Sequence, residues 1–319
     1  MINILIIGGG NIGSRHIQGY LNSKKKISFI IIEPSLKAKK ILVDRINEVN
    51  FNFKNYKIYN NLNKLIENSF FYIVLIATNS DIRFIILKSL IKKKIRFKYI
   101  FLEKIAFRNI SEFKKSFLML GKNQIKCFVN LPRRSQPLYK TLKKILKKEK
   151  ILFFEVNGAL NLASNIVHFF DLFYFLTNAL IIKNIKLNLK NFGIKKKKFL
   201  KFQGNIFLKA NNRTFFCFND NKIYKDVVIK IITKKKCFLI EEEKSIIKIY
   251  DKKRSKINKS NYFLQSQLSQ QIIDNFYLEK KNTLNLPTLR DSFVAHKATF
   301  EFIKLVYKKY NMSLDFLFT

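Results

Sequence analysis

The sequence predicts an α/β protein: a doubly wound parallel sheet in its N-terminal part, then an α+β part whose sheet is open and largely antiparallel. Three observations carry this. Short apolar runs alternate with helix-patterned segments through the first third, a glycine-rich turn follows the first apolar run directly, and four or five extended segments come in quick succession from Ile182 onward. At 319 residues, 48% hydrophobic and 14% aromatic, the chain can bury a sizeable core and lies outside the range of disordered or fibrous proteins. Two domains are expected, at 1–122 and 123–319.

Element by element, strands are predicted at Ile2 to Ile7, Ile27 to Ile32, Phe70 to Ala77 and Tyr99 to Leu102, with helices between them, the first from Ile12 to Ser23. This βαβ alternation implies right-handed crossovers and parallel pairing. A strand at Ile125 to Leu131 could close this sheet or open the next. A helix from Gln136 to Lys148, a strand at Ile151 to Val156 and an apolar helix from Ala163 to Thr177 follow. Extended segments then read at Ile182 to Leu189, Gly204 to Lys209, Thr214 to Phe218, Val227 to Thr233 and Cys237 to Ile240. Short turns such as Asn211-Asn212 and Asn219-Asp220-Asn221 join the later ones, the pattern of an antiparallel meander. Helices at Leu264 to Lys280 and Leu289 to Tyr310 finish the chain.

The formal net charge is +41, from 62 Lys and Arg against 21 Asp and Glu. Such a balance suggests a nucleic-acid or anionic membrane partner. Only ten of the cations are Arg, however, and the Lys runs (Lys24 to Lys26, Lys92 to Lys94, Lys195 to Lys198, Lys234 to Lys236) are spread over the whole length. A solvated lysine surface is the reading, with neither nucleic acid nor membrane as partner. Cys127, Cys217 and Cys237 are far apart and lack metal-ligand spacing, so no metal site is expected and a reducing cytoplasm is the expected location. The apolar stretch Ile166 to Ile182 contains His168, Asp171, Thr177 and Asn178, which suits a buried helix better than a membrane span.

The strongest local signal is Gly8-Gly9-Gly10-Asn11-Ile12-Gly13, placed after the first strand and opening the first helix. Gly8 and Gly10 permit a tight turn and close approach of a pyrophosphate, and Gly13 lets helix and strand pack closely. Four of the chain's nine glycines fall in these six positions. Glu33 ends the second strand, where an acid accepts hydrogen bonds from an adenosine ribose and repels a 2′-phosphate, so NAD is favoured. Ser35, Lys37 and Lys39 follow at once and could hold that phosphate, which leaves NADP open.

Four short motifs in order resemble the Gfo/Idh/MocA family, named for glucose-fructose oxidoreductase, inositol dehydrogenase and rhizopine-catabolism proteins. The glycine turn is followed by Ser14-Arg15-His16. Ala77-Thr78-Asn79 stands for Ala-Thr-Pro, with Arg83 in the place of its His, and Glu103-Lys104-Ile105 stands for Glu-Lys-Pro. Gly158, Ser164, His168 and Asp171 stand for a Gly, an Asp, a His and a second Asp. The resemblance implies a Rossmann domain and an α/β domain whose open sheet often makes oligomer contacts, hence a homo-oligomer. It implies an NAD(P)-dependent oxidoreductase acting on a sugar-like alcohol or ketone, with an acidic sugar or nucleotide-sugar of carbohydrate or surface-polysaccharide metabolism as the expected small-molecule substrate.

Within that resemblance, Asn11, Ile12, Ala77, Thr78, Asn79, Arg83 and Glu103 join the glycines and Glu33 as candidate cofactor residues. Lys104 sits at a strand terminus, where ligands bind in open α/β sheets, and could orient the nicotinamide ribose or bond the substrate hydroxyl. His168 lies among apolar helix residues; read alone it is a core histidine, and the resemblance makes it the group that takes the alcohol proton. Asn130, Arg133, Arg134, Ser164 and Asn165 are candidate substrate residues, an Arg being suited to bidentate capture of a carboxylate or phosphate. Ser164 stands where many members carry an Asp and cannot be a carboxylate partner. The rival reading is therefore a non-catalytic dinucleotide-binding protein of the same fold. His16 is read only as cover for the first helical turn.

Overall fold

The computed structural model describes residues 1–23, 25–49, 55–195, 199–211, 213–221, 226–252, 254–278 and 284–311. Lys24, Lys196 to Lys198, Asn212 and the last two residues of the helix expected to reach Lys280 lie outside them. The chain forms two compact units, 1–132 with 263–291, and 133–262 with 292–319.

The sheet of the first unit runs β3-β2-β1-β4-β5-β6, all parallel, from β1 (Ile2–Ile7), β2 (Ile27–Ile32), β3 (Asn55–Tyr59), β4 (Phe70–Ile76), β5 (Arg96–Leu102) and β6 (Lys126–Val129). Its crossovers contain α1 (Asn11–Asn22), α2 (Leu36–Asn47), α3 (Ser80–Lys92) and α4 (Ile110–Lys122). β1 is INILII with five of its six residues buried, as expected of a central strand covered on both faces. The strand order reverses between β1 and β4, so a crevice opens beyond their carboxyl ends. β6 closes this sheet and opens no second one.

The expected boundary after residue 122 does not match the compact units. β6 pairs with β5, and the returning segment with α7 (Gln265–Ile273) and a single wider turn at Asp274–Leu278 completes the first core. Phe276 lies 4.8 Å from the Phe128 ring, 5.2 Å from Phe101 and 5.1 Å from Tyr99, and Ile272 and Ile273 are buried in the same cluster. Burying these side chains, worth about 1.5–3 kcal/mol each, is what recruits a segment so distant in sequence.

The second unit has an eight-stranded sheet in the order β14-β13-β12-β11-β7-β10-β9-β8. Its strands are β7 (Ile151–Gly158), β8 (Ile182–Lys195), β9 (Phe199–Ala210), β10 (Thr214–Asp220), β11 (Val228–Thr233), β12 (Cys237–Glu241), β13 (Ile246–Tyr250) and β14 (Ser255–Lys259). All neighbours pair antiparallel except β7 and β10, which are parallel. One face is packed by aromatic residues: Phe154 and Phe216 meet Phe173 of α6 (Leu162–Thr177), and Phe202 meets Phe302 of α8 (Leu289–Lys309). α5 (Pro137–Leu146) buries Leu138, Tyr139, Leu142 and Leu146. On the opposite face Phe207, Phe215 and Ile257 remain 47%, 61% and 58% exposed.

Candidate active site

In the first unit the crevice is built from strand ends. Gly8 follows β1 with φ +96°, and its N–H donates to the Ile32 carbonyl at 2.9 Å. A Cβ on Gly8 would stand 2.9 Å from the Ala77 carbonyl, and one on Gly13 only 1.9 Å from the Gly8 carbonyl oxygen, so neither position accepts a side chain. A Cβ on Gly10 would meet nothing within 4 Å. Open space thus lies over the first turn of α1, whose N-cap Gly10 offers no side-chain cap, whereas Ser35 caps α2 and Asn109 caps α4. Uncapped N–H groups at a helix N-terminus facing open space suit a pyrophosphate. Asn11 and Ile12 are exposed on this rim.

Glu33 is nearly buried at the end of β2. Its carboxylate accepts from Gly9 N–H at 2.7 Å and from Ser35 N–H at 2.9 Å, which fixes the glycine turn against the second strand. Each carboxylate oxygen keeps lone pairs for ribose hydroxyls. Of the residues that could instead read a 2′-phosphate, Ser35 accepts from Ala38 N–H as a helix cap and Lys39 donates to Asn60.

Ala77 and Thr78 are half-buried and Asn79 exposed at the turn after β4. Arg83 is buried, and its guanidinium donates to the carbonyls of Thr78, Glu103 and Ile105. Burial lowers it to about 10, against the raising effect of the Glu103 and Asp81 charges. Its two terminal nitrogens therefore tie together the turns after β4 and β5.

Glu103 and Lys104 follow β5, with a cis peptide between Lys104 and Ile105. Lys104 is half-buried. The Glu103 carboxylate accepts from His16 Nε2 at 2.9 Å and from Asn130 Nδ2 at 2.5 Å, while Asn130 also donates to Gln265 Oε1 at 3.1 Å. Asn130, expected to meet substrate, is thus part of the first unit's buried network. His16, read from sequence as helix cover, is its centre. The signal that could have found it is the Ser14-Arg15-His16 motif itself.

The second unit holds His168, 8% exposed on α6, with Asp171 fully buried one turn on. Ser164 Oγ and Asn161 are hydrogen-bonded to each other within the first turn of α6, and Asn165 Nδ2 donates to the Leu160 carbonyl at 2.9 Å. Asp220 accepts from Leu160 and Leu162 N–H, holding the start of this helix. Both candidate substrate arginines are taken by carboxylates of the chain. Arg133 forms a fork with Glu242 at 2.8 and 2.9 Å, stacked 4.2 Å over the Phe169 ring, and Tyr139 donates to the same carboxylate at 2.7 Å. Arg134 binds Asp171 bidentately. Both side chains are thus ion-paired within the second unit. Lys104 and His168 fall in different compact units.

Among the described residues no helix is long and apolar enough to cross a membrane, and no group of three or more His, Cys, Asp or Glu could hold a metal ion.

Residues 2–131 match the family described as an oxidoreductase family with an NAD-binding Rossmann fold. Over this segment the chain is similar to the NAD-binding Rossmann domain of the Gfo/Idh/MocA oxidoreductases. No curated protein matches the sequence. Solved structures similar to the chain include the transcriptional regulator Gal80p from Kluyveromyces lactis, with TM-score 0.72 and 12% identity over 97% of this chain and 90% of that one. UDP-N-acetylglucosamine 3-dehydrogenase from Acidithiobacillus ferrooxidans gives TM-score 0.72 and 12% identity over 94% and 96%. An Agrobacterium radiobacter oxidoreductase in complex with NAD+, L-tartaric acid and magnesium gives 0.71 and 13% over 94% of each chain. At these identities the likeness shows the fold.

Proposed function

We propose that the protein is an NAD-dependent oxidoreductase that transfers hydride between the nicotinamide and a sugar-like alcohol or ketone. The observation that carries this reading is the cradle of the Gfo/Idh/MocA domain: open space over Gly10, an uncapped α1 and the Glu33 carboxylate at the end of β2. NAD, when bound, supplies the hydride acceptor or donor. The chain's own groups do the rest. Gly8, Gly10, Asn11, Ile12 and Gly13 hold the pyrophosphate, Glu33 the adenosine ribose, and Ala77, Thr78 and Asn79 border the cofactor. In the first unit Lys104 is the candidate for the substrate hydroxyl, and in the second unit His168 is the candidate proton acceptor, each taken by itself. NAD is preferred to NADP because the Glu33 carboxylate stands at the end of β2, where an acid repels a 2′-phosphate.

The proposed substrate class is supported by the similarity to a UDP-N-acetylglucosamine 3-dehydrogenase and by the net charge of +41, which raises the encounter rate with anions. An acidic sugar or nucleotide-sugar fits both. We place the protein in a reducing compartment, in keeping with the free thiols of Cys127, Cys217 and Cys237, and as a homo-oligomer through the exposed sheet face of the second unit.

The test is titration of NADH and NADPH by fluorescence, followed by UDP-N-acetylglucosamine and acidic sugars with NAD+. Tighter NADH binding that weakens in Glu33→Ala, with turnover on a sugar, supports the reading. Equal affinity for both dinucleotides removes the role of Glu33. A second reading has its own observation: Ser164, in the place of the family's Asp, is bonded within the first turn of α6 and brings no carboxylate to His168. NADH binding with no turnover on any of these sugars supports that non-catalytic alternative.

A further inference from the structure

We propose that His16 is a positioning residue for Lys104, acting through Glu103; this rests on the reading above only in taking Lys104 as the group that meets substrate. His16 lies on α1, three residues past Gly13, and is 1% exposed. Its Nε2 is 2.9 Å from Glu103 Oε1, and against a carboxylate that nitrogen must be the donor. Its Nδ1 is 2.9 Å from Ser269 Oγ on α7, and that hydroxyl is also 2.8 Å from the Gln265 carbonyl. The ring is thus held at both nitrogens by two elements other than its own.

Glu103 is fixed as fully. Its N–H donates to the Ile76 carbonyl at 3.1 Å, its carbonyl accepts from Arg83, and its carboxylate has His16 and Asn130 as donors. Lys104 is the next residue, so the direction in which its backbone leaves β5 is set by an anchor to whose carboxylate the imidazole is one of two side-chain donors. Without that donor a buried carboxylate is left undersatisfied, and the strand end must move to restore its bonds. The same helix carries the glycine turn, so His16 registers the cofactor cradle against Lys104.

A merely structural ion pair makes a different forecast. A buried pair replaced by packed apolar side chains is often neutral for stability, so His16→Leu with Glu103→Leu offers a folded protein without the anchor. His16→Gln keeps an N–H able to reach Glu103, and His16→Ala does not. In each protein the acetylation rate of Lys104 by acetic anhydride, resolved by peptide mass spectrometry against the other lysines of the same digest, reports its positioning. NADH affinity and the melting temperature are measured alongside.

The expected result is a Lys104 rate raised by about tenfold, the scale of coupling through a packed neighbour, in His16→Ala and in the double variant. His16→Gln should stay near wild type, with the other lysines unchanged throughout. A Lys104 rate equal to wild type in the folded double variant overturns the proposal, as does a His16→Gln rate equal to that of His16→Ala. Wild-type protein that fails to bind NADH would sink the proposed function but leave the acetylation comparison readable.

Discussion

At Glu103 opposing effects meet. Burial raises its carboxyl, but the hydrogen bond and charge of His16, the Arg83 guanidinium and the Asn130 amide outweigh burial and hold it below the usual carboxylate range. A group whose folded value lies below its unfolded one contributes stability that is fully present above the unfolded value, about pH 4.3, and is lost as pH falls through the folded one. Melting temperatures between neutrality and about pH 3 should therefore fall on the acid side in the wild type. Glu103→Gln should melt lower at neutrality but lose less on acidification; parallel curves for the two proteins would show that Glu103 does not set the acid limb. Arg134 makes the second case, since Arg134→Ala leaves Asp171 fully buried without its bidentate partner. Urea unfolding should show a loss of about 3–5 kcal/mol, and a combined change to apolar side chains at both positions should recover much of it. A KM effect with no loss of stability would return Arg134 to the substrate. The glycine turn was legible because its setting, between β1 and α1, is local in the chain. The partners of Arg133 and His16 lie 109 and 87 residues away, and no local pattern announces them.

Elements were legible where they are apolar. β1, β2, β4 and α6 carry buried runs that mark them out, whereas β3 (NYKIY) has no fully buried residue and β14 (SKINK) is almost wholly exposed, so neither shows a core-facing pattern. The position of β7 was hidden for another reason. It pairs with β10 and β11, strands more than fifty residues on, and only the folded sheet brings them together. α7 shows what the sequence could not assign, a helix from beyond the second unit's strands that packs on α1. The close approach is at Gly19, where a Cβ would stand 2.1 Å from the Ser266 carbonyl oxygen. Gly19→Ala should separate α1 from α7 at a cost of about 1–3 kcal/mol, the scale of overpacking. Gly121 in α4 is the matched control, because a Cβ there meets nothing within 4 Å. Gly121→Ala should stabilise by about 0.5–1 kcal/mol. Urea unfolding of both variants checks the pair, and equal shifts of one sign would refute the packing role of Gly19.

For the molecule as a whole, charge and sheet face make opposing demands. Each copy carries +41, so two copies repel, with a range that shrinks to about 8 Å at physiological ionic strength. The sheet face opposite the helices of the second unit presents Phe207, Phe215 and Ile257, with Lys209 5.8 Å from the Phe215 ring and Asn219 bonded to Glu155 and Asn157. Exposed aromatics ringed by polar side chains mark an association surface. If this face pairs copies of the chain, its apolar contacts do the binding while the lysines oppose it. Association should then tighten as salt rises from about 0.05 to 0.5 M, the reverse of what a charge-complementary interface shows. Sedimentation velocity across that range should show the larger species growing with salt. Phe215→Glu should reduce it by burying a charge at the face, without lowering the melting temperature of the single chain, because Phe215 is exposed there. Association that weakens with salt, or that survives Phe215→Glu, would place the contact elsewhere on the molecule.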